Sequence, residues 1–455
     1  MPAATTTPKR QLTLFDSVCV IVGIIIGAGI FETTVDVAKS SASGWQLMTA
    51  WLLGGAISVI GAICYAELAT SFPREGGDYA FLSLAFGRRA GFLFAWCEYA
   101  IVRPANVGMM AFVFARYASQ LWPISIAAGR PQLGFIVYAA AAVIALTGLH
   151  VLGVRAGKWT QNVLTTVKVL GLLLIVVIGL SVVPSVQPAS AQPVADSTGG
   201  SFRIAMVLVL FTYGGWREIS YVAAEVRDPR RNLFRSLLLG VAIVTIVYVL
   251  VNLSFLRALG LEGMANSEAI AVDTVRPRLG SYGAGAIGVL VCISCLGAIN
   301  GMLLTGARVN YALGTDHRLF SWLGRWNARL DTPLSSLLVQ GAITLVFVVG
   351  FGWYANGFVR LLQFSAPVFW WFIFMVSVAL FLLRYRRPDA MRPYRVPLYP
   401  WVPLVFCLSS AFMILASLEY ALSDGSYEAL LTVAVLSVGL VLCLFDRSRE
   451  SARGV

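Results

Sequence analysis

Charged residues are scarce in this chain of 455 residues. They make up 12% of the sequence, whereas a soluble domain averages about 25%. Hydrophobic residues make up 58%, and the mean hydropathy is +0.79. The deficit of charge excludes a surface that faces water on all sides, so most of the surface must face lipid.

Histidine and cysteine offer little for metal or redox chemistry. There are two histidines and seven cysteines, and every cysteine lies in an apolar segment, which excludes an extracellular disulfide framework. Cys292 and Cys295 form a CxxC pair, but a metal site would need further ligands nearby. We therefore expect packing cysteines, no metal and no cofactor. A membrane-embedded enzyme is disfavoured, because neither His150 nor His317 has an evident catalytic partner.

Long apolar windows predict an all-α polytopic membrane protein with twelve spans, because a spanning helix needs about 20 apolar residues. Three of the segments, 14–38, 88–120 and 203–224, are interrupted by charges or glycines. The other predicted spans are 45–66, 131–149, 169–195, 236–256, 279–307, 332–359, 361–383, 396–418 and 429–445. No polar filter-like ring supports a channel.

The positive charges predict the orientation. Most of the 34 Lys and Arg residues fall on one side of the predicted membrane, which the positive-inside rule assigns to the cytoplasm. The outer side then holds Lys39, Arg130, Arg203, Arg257, Arg276 and Arg278. We expect an integral protein of the plasma (inner) membrane with both termini in the cytoplasm. This placement also explains the net charge of +12 without a nucleic-acid partner.

Glycine clusters interrupt two spans at matching positions, Gly23 to Gly29 in span 1 and Gly214 with Gly215 in span 6. Paired breaks of this kind are typical of inverted-repeat transporters, although close helix packing is an alternative. The predicted organisation is a tail (1–13), a first repeat of five spans (14–184), an outer loop (185–202), a second repeat of five spans (203–384), two further spans (396–446) and a second tail (447–455).

Unwinding a helix inside a bilayer frees backbone N–H and C=O groups, which are tolerated only where they line a polar cavity. The N–H groups at the start of an outer half-helix favour a carboxylate. The carbonyls at the end of an inner half-helix favour an ammonium. A site with both groups suits a zwitterion.

Motifs follow one another along nearly the whole chain. They are Gly-x-Ile-Ile-Gly-x-Gly-Ile-Phe (23–31), Tyr-Ala-Glu-Leu (65–68), Gly-Gly-Asp-Tyr (76–79), Arg-Pro (103–104), Tyr-Gly-Gly-Trp (213–216), Asn-Gly (300–301) and Arg-Tyr-Arg-Arg-Pro (384–388). In this order and spacing the chain resembles the amino acid–polyamine–organocation transporters, and among them the L-type amino acid transporter branch. The resemblance implies five-plus-five inverted repeats, two extra helices and alternating access around a central amino-acid site.

The resemblance also implies a set of substrate-binding residues. They are Ile24, Ile25, Gly27, Ala28, Gly29, Phe211, Thr212, Gly214, Trp216, Asn300, Phe369 and Trp370. The backbone at 27–29 would hold the substrate carboxylate, carbonyls near positions 24, 25, 211 and 214 would hold its amino group, and Phe211 would gate it. Lys168 matches a position where related sodium-driven transporters hold sodium. It would act in coupling or conformational control, or tie helices together, and both roles are compatible.

Some residues depart from the family pattern. Ala28 stands where Ser is frequent, Arg217 where Asn or Asp is usual, and Phe369 where members for large substrates have Asn. The segment 121–131 has no cysteine, so we expect no disulfide-linked heavy-chain subunit and a lone subunit of bacterial type. The expected function is sodium-independent transport of small or medium neutral amino acids, by exchange. Proton-coupled symport and transport of cationic amino acids or polyamines are the alternatives.

Several ionisable residues fall within spans. Glu98 and Arg103 lie five residues apart, about 140° around an α-helix, which predicts that they do not pair with each other. Arg217 and Glu218 open the inner half of span 6, either as an anion site or as structural ion pairs. A possible inner gate network comprises Glu67, Lys158, Glu225 and Arg231, with solvated loop charges as the alternative.

Overall fold

A computed structural model of the protein describes residues 9–124, 131–182, 202–354, 356–422 and 427–446. These residues are helical, apart from loops and two isolated β-bridges. The helices are α1 (Leu14–Ile25), α2 (Gly29–Lys39), α3 (Gly44–Ser71), α4 (Asp78–Phe86), α5 (Arg88–Cys97), a π-helix (Glu98–Val102), α6 (Arg103–Leu121), α7 (Pro131–Val151), α8 (Val154–Ser181), α9 (Phe202–Thr212), a 3₁₀ helix (Trp216–Glu225), α10 (Pro229–Ala265), α11 (Ile270–Asp316), α12 (Leu334–Phe351), α13 (Gly357–Arg386), α14 (Trp401–Leu422) and α15 (Tyr427–Phe445).

Local sequence signals account for several of the helix ends. Thr13 and Asp16 form a capping box at the start of α1, and the Ser43 hydroxyl accepts from an amide in the first turn of α3. Pro229 occupies the first turn of α10, where its missing N–H is no loss. Glycines with positive φ, Gly260 and Gly280, bend α10 and α11 near one end.

The helices confirm a polytopic α-helical membrane protein. Nine helices of the described chain are long and apolar enough to span a membrane, and α1 with α2 forms a further, broken span bent by 45°. The two remaining predicted spans take other forms. Residues 88–121 run from α5 through the π-helix into α6, and residues 202–225 comprise α9 and the 3₁₀ helix. The number of twelve spans therefore stays a prediction.

The fifth span differs from its predicted bounds of 169–195. Helix α8 begins at Val154 and ends at Ser181, and residues 183–195 lie outside the described residues. The charge-free window missed the first half of the helix because Lys158 and Lys168 lie within it, each with hydrogen-bond acceptors. Most of the predicted outer loop, 185–201, and the tail segments 1–8 and 447–455 also lie outside the described residues.

Corresponding helices of the two predicted repeats pack against each other. Helix α1 contacts the 3₁₀ helix, and α2 contacts α9, so the two broken spans lie side by side. Helix α3 packs on α10, and α6 packs on α11. This pairing agrees with an inverted repeat, although the division into repeats stays a prediction. The centre is not purely apolar, because Lys168, Arg103, Arg217 and Arg308 are among the largest fully buried side chains.

Candidate functional site

The first span is broken between Ile25 and Gly29. Helix α2 starts at Gly29, so the positive end of its dipole faces the break. The amides of Phe31 and Glu32 donate to Ala28 O, at 3.0 and 3.1 Å, whereas the first amides of a helix lack an intrahelical acceptor. A Cβ atom on Gly29 would lie 2.8 Å from the Thr212 side chain, and one on Gly27 would lie 2.9 Å from the Met110 sulfur. At Gly29 the lack of a side chain therefore permits the close approach of α9, and at Gly27 a side chain would displace Met110.

The second break lies directly beside the first. Helix α9 ends at Thr212, and the 3₁₀ helix begins after Gly215, whose φ of +117° suits glycine. A Cβ atom on Gly215 would lie 2.9 Å from the Ile24 side chain, so the breaks touch. The hydroxyls of Thr33 and Thr212 are 2.8 Å apart and join α2 to α9.

Side chains from three other helices bind the carbonyls that the first break frees. The Lys168 ammonium on α8 donates to Gly23 O at 2.8 Å, to Ile26 O at 2.7 Å and to Ser294 O at 3.0 Å. The Tyr248 hydroxyl on α10 donates to Ile25 O at 2.8 Å. Ser294 on α11 donates to the carbonyls of 26 and 27. The break is thus held open by α8, α10 and α11, whose side chains bind the carbonyls of residues 23, 25, 26 and 27.

A cavity lies between the two breaks. It offers about 80 Å³ to the centre of a water molecule. One water needs about 10–15 Å³ by this measure, so the cavity suits a small solute rather than a large one. Its lining includes eight of the residues predicted from the sequence, namely Ile24, Ile25, Gly27, Gly29, Phe211, Thr212, Gly214 and Phe369.

The other four predicted residues lie elsewhere. Ala28 is fully buried at the break and does not line the cavity. Trp216 and Trp370 line an adjacent cavity, which shares Phe369 with the first. Asn300 points towards α8, where its amide donates to Gly157 O at 3.0 Å and to Gln161 Oε1 at 2.8 Å. The Asn300 amide nitrogen thus packs α11 against α8, Asn300 does not line the cavity, and its role in binding substrate stays a prediction.

Sequence reasoning missed part of the lining. Asn106, Met109 and Met110 on α6, Met302 on α11 and Glu218 on the 3₁₀ helix also line the cavity. Glu218 carried a signal, since an ionisable residue within a span indicates a functional position. The residues on α6 carried no such signal in the sequence. Which way their side chains point depends on the π-helix that precedes α6.

Glu98 and Arg103 pair with each other, contrary to the prediction. Arg103 Nη2 lies 2.5 Å from Glu98 Oε1 and 2.8 Å from Glu218 Oε2. The prediction assumed an α-helix, but residues 98–102 form a π-helix, and the Arg103 amide donates to Glu98 O. An i→i+5 hydrogen bond brings residues five apart onto the same face.

Arg217 and Glu218 take part in different ion pairs of the same cluster. Arg217 pairs with Asp78, and its guanidinium carbon lies 4.5 Å from the centre of the Phe369 ring. Glu218 accepts from Arg103 and, at 2.6 Å, from the Thr305 hydroxyl. The structure thus shows structural ion pairs, with Glu218 at the cavity wall.

The four residues of the predicted inner gate network do not pair with one another. Glu67 pairs with Arg384, Lys158 with Asp16, and Glu225 with Arg308. Arg231 is exposed. Lys158 and Glu225 nevertheless lie close together, since the Lys158 ammonium donates to Gln11 O and the Gln11 amide donates to Glu225 O.

A backbone clasp joins the two broken spans at the end opposite α2. The amides of Gln11 and Leu12 both donate to Glu225 O, at 2.8 and 3.0 Å, and the Arg227 amide donates to Leu12 O at 2.9 Å. We call these four residues the clasp. It connects the chain just before α1 with the chain at the end of the 3₁₀ helix.

Comparisons with known proteins agree with this geometry. The family model described as "Amino acid permease" matches residues 12–443. The chain is 29% identical over 440 residues to the "b(0,+)-type amino acid transporter 1" of Mus musculus, covering 96% of this chain and 88% of that protein. It is 30% identical over 413 residues to the human "Cystine/glutamate transporter", covering 90% and 80%. It is 30% identical over 416 residues to the human "Large neutral amino acids transporter small subunit 2", covering 90% and 76%.

Proposed function

Because the chain belongs to the amino acid permease family, we propose that it carries small neutral amino acids across the membrane by sodium-independent exchange. The observation that supports this proposal best is the meeting of two helix breaks at one small cavity. Its relatives are transporters, which supports a transport function rather than an enzymatic one.

The two ends of the break suit the two charged groups of an amino acid. The first-turn amides of α2, which begins at Gly29, favour a carboxylate. The Ile24 carbonyl, near the end of α1, favours the ammonium group, whereas the Ile25 carbonyl is already bound by Tyr248. The backbone would therefore recognise the carboxylate and ammonium groups that all amino acids share.

The side walls would select the substrate side chain. Phe211, Phe369 and Met109 enclose the cavity, and its volume favours alanine, serine or threonine over tryptophan. An added methylene in such a pocket changes discrimination by only about 1–3 kcal/mol, so neighbouring sizes should overlap.

Proteoliposomes loaded with unlabelled alanine test the proposal. Labelled alanine should enter much faster than into empty vesicles, because exchange needs substrate inside. An excess of unlabelled serine or threonine should compete, and tryptophan should not. Equal uptake into empty vesicles would contradict exchange. Stronger competition by tryptophan than by alanine, serine or threonine would contradict the small site. Phe369→Asn would then be the next variant to test, because members of the family for large substrates have Asn at this position.

The proposal also states in which membrane the protein lies and that it acts without a second subunit. The chain is an integral multi-pass membrane protein. We place it in the plasma (inner) membrane with both termini in the cytoplasm. No cysteine lies between Cys97 and Cys292, so we expect function without a disulfide-linked second subunit. The purified single chain should therefore suffice in the uptake experiment.

A further inference from the structure

A buried cluster of five charged residues borders the cavity. It contains three carboxylates, Asp78, Glu98 and Glu218, and two guanidiniums, Arg103 and Arg217. All five side chains are at least 95% buried. If each group carried its usual charge, the cluster would hold one negative charge in excess.

In the part of the chain that the structure describes, neighbouring groups do not balance this charge. The Arg308 guanidinium is paired with Glu225, and the Lys168 ammonium is bound to three carbonyls at the break. The other polar groups that face the cluster are neutral, namely Tyr65 on α3, Tyr221 on the 3₁₀ helix, Thr305 on α11 and Gln340 on α12.

One oxygen of the cluster has no partner. Asp78 Oδ2 is bound by Arg217 and, at 3.1 Å, by the Tyr221 hydroxyl. Asp78 Oδ1 is buried and has no hydrogen-bond partner among the residues that the structure describes. The Tyr65 hydroxyl lies near this carboxyl but outside bonding geometry. An uncompensated, partly unbonded carboxylate at this depth is strongly unfavourable.

From the charge count and the unpartnered oxygen, we infer that the cluster binds one proton, held at Asp78 Oδ1. The proton neutralises the excess charge, and a protonated Asp78 Oδ1 is no longer a charged acceptor that lacks a donor. No other bond changes, since the step is the addition of a proton to a carboxylate.

The cluster reaches from the substrate cavity towards a cleft on the other side. Glu218 lines the cavity, and Arg103 links it to Glu98, which faces Arg217 and Asp78. Asp78 is fully buried, but Tyr79, next in the chain, lines a wide cleft at the end of α3 and the start of α4. On this inference a proton reaches Asp78 from that cleft past Tyr79, and its presence alters the charge that a substrate meets at Glu218. This coupling rests on the proposed function, whereas the proton site itself does not.

Thermal unfolding of the full-length protein without substrate tests the proton site. A native state that holds one proton more than the unfolded state becomes less stable as pH rises. The wild-type Tm should therefore fall between pH 5 and 9. Asp78→Asn leaves two carboxylates with two guanidiniums, and its Tm should depend less on pH. Glu98→Gln gives the same balance and serves if Asp78→Asn does not fold. Glu428→Gln, in a separate pair with Arg360, should keep the wild-type profile.

Binding of labelled alanine over the same pH range tests the coupling. If binding requires the bound proton, the Kd should rise with pH by up to tenfold per pH unit, and this dependence should disappear in Asp78→Asn. Identical pH profiles of Tm in wild type and both cluster variants would overturn the proton site. A pH-independent Kd with tighter binding of lysine than alanine would mean that a substrate cation balances the cluster, and would also overturn it. A proton-dependent Tm without alanine binding at any pH would refute the proposed function alone.

Discussion

Among single residues, Lys168 bears most directly on the ion dependence of transport. Its ammonium group contacts three carbonyls on two helices, so one side chain supplies hydrogen bonds that a broken helix has lost. Because the amino group of Lys168 already binds these carbonyls, they are not free to coordinate a metal cation. We infer from this that transport does not depend on sodium.

We expect transport to be independent of sodium, because the Lys168 side chain already occupies the break and binds its carbonyls. Replacing sodium with choline at constant pH and osmolarity should leave the initial rate of alanine exchange unchanged. Potassium replacement serves as the control for a general effect of cations. A strict sodium requirement would show that a cation binds elsewhere at the site.

We expect Gly27→Leu to weaken amino-acid binding by more than about tenfold, equivalent to about 1.4 kcal/mol. A Cβ atom at Gly27 already approaches Met110, and a leucine side chain would fill the cavity between the breaks. Titration of the purified variant with alanine measures the effect.

Gly148→Leu is the matched control for this variant. Gly148 lies in α7, where an added Cβ meets no atom within 4 Å, so binding should stay at the wild-type level. Normal binding by a folded Gly27→Leu protein would mean that the glycines serve helix packing only.

At the scale of helices, sequence patterns predicted where most helices lie. They did not predict which residues share a face of each helix. Apolar windows found the spans because lipid exposure demands them. They could not show that residues 98–102 form a π-helix, in which Glu98 and Arg103 come onto one face and pair. They also missed the first half of α8, which contains Arg155 and Lys158 and precedes the buried Lys168. The glycine breaks were predictable because the glycine clusters recur at matching positions of the two predicted repeats.

We expect the clasp to control access to the cavity from the side of the N-terminus. Leu12→Pro removes the amide that donates to Glu225 O. Loss of one such bond costs about 0.5–1.5 kcal/mol, so the open state should gain roughly 2- to 10-fold in population. Labelling of Met302→Cys by a maleimide, in a background without native cysteines, should accelerate correspondingly in inside-out vesicles. Leu12→Val keeps the backbone amide, so its Met302→Cys form should be labelled at the rate of the parent protein. Equal labelling rates for Leu12→Pro and Leu12→Val would contradict a role of the clasp in access.

The whole molecule has a strong asymmetry of positive charge, which fixes its expected orientation in the membrane. We expect both termini in the cytoplasm. Cysteines introduced at Ala3 and Arg453, without native cysteines, should react with a membrane-impermeant maleimide only after the cells are opened. A cysteine at Arg278, on the predicted outer side, is the control and should react in intact cells. Reaction of either terminus from outside would reverse or break the predicted topology.

The π-helix has a consequence for how the third span can change in length over evolution. It stores one extra residue in the third span, upstream of Asn106 and Met109. A π-helical turn closes with an i→i+5 bond, so it takes up about one residue more than an α-helical turn for nearly the same rotation. Deleting one residue of 98–102 would therefore leave an α-helical turn, with the cavity wall at Asn106 and Met109 still facing the same way. The same deletion within a regular α-helix would rotate every residue beyond it by about 100°. A single codon can thus be lost at this turn without rearranging the pocket.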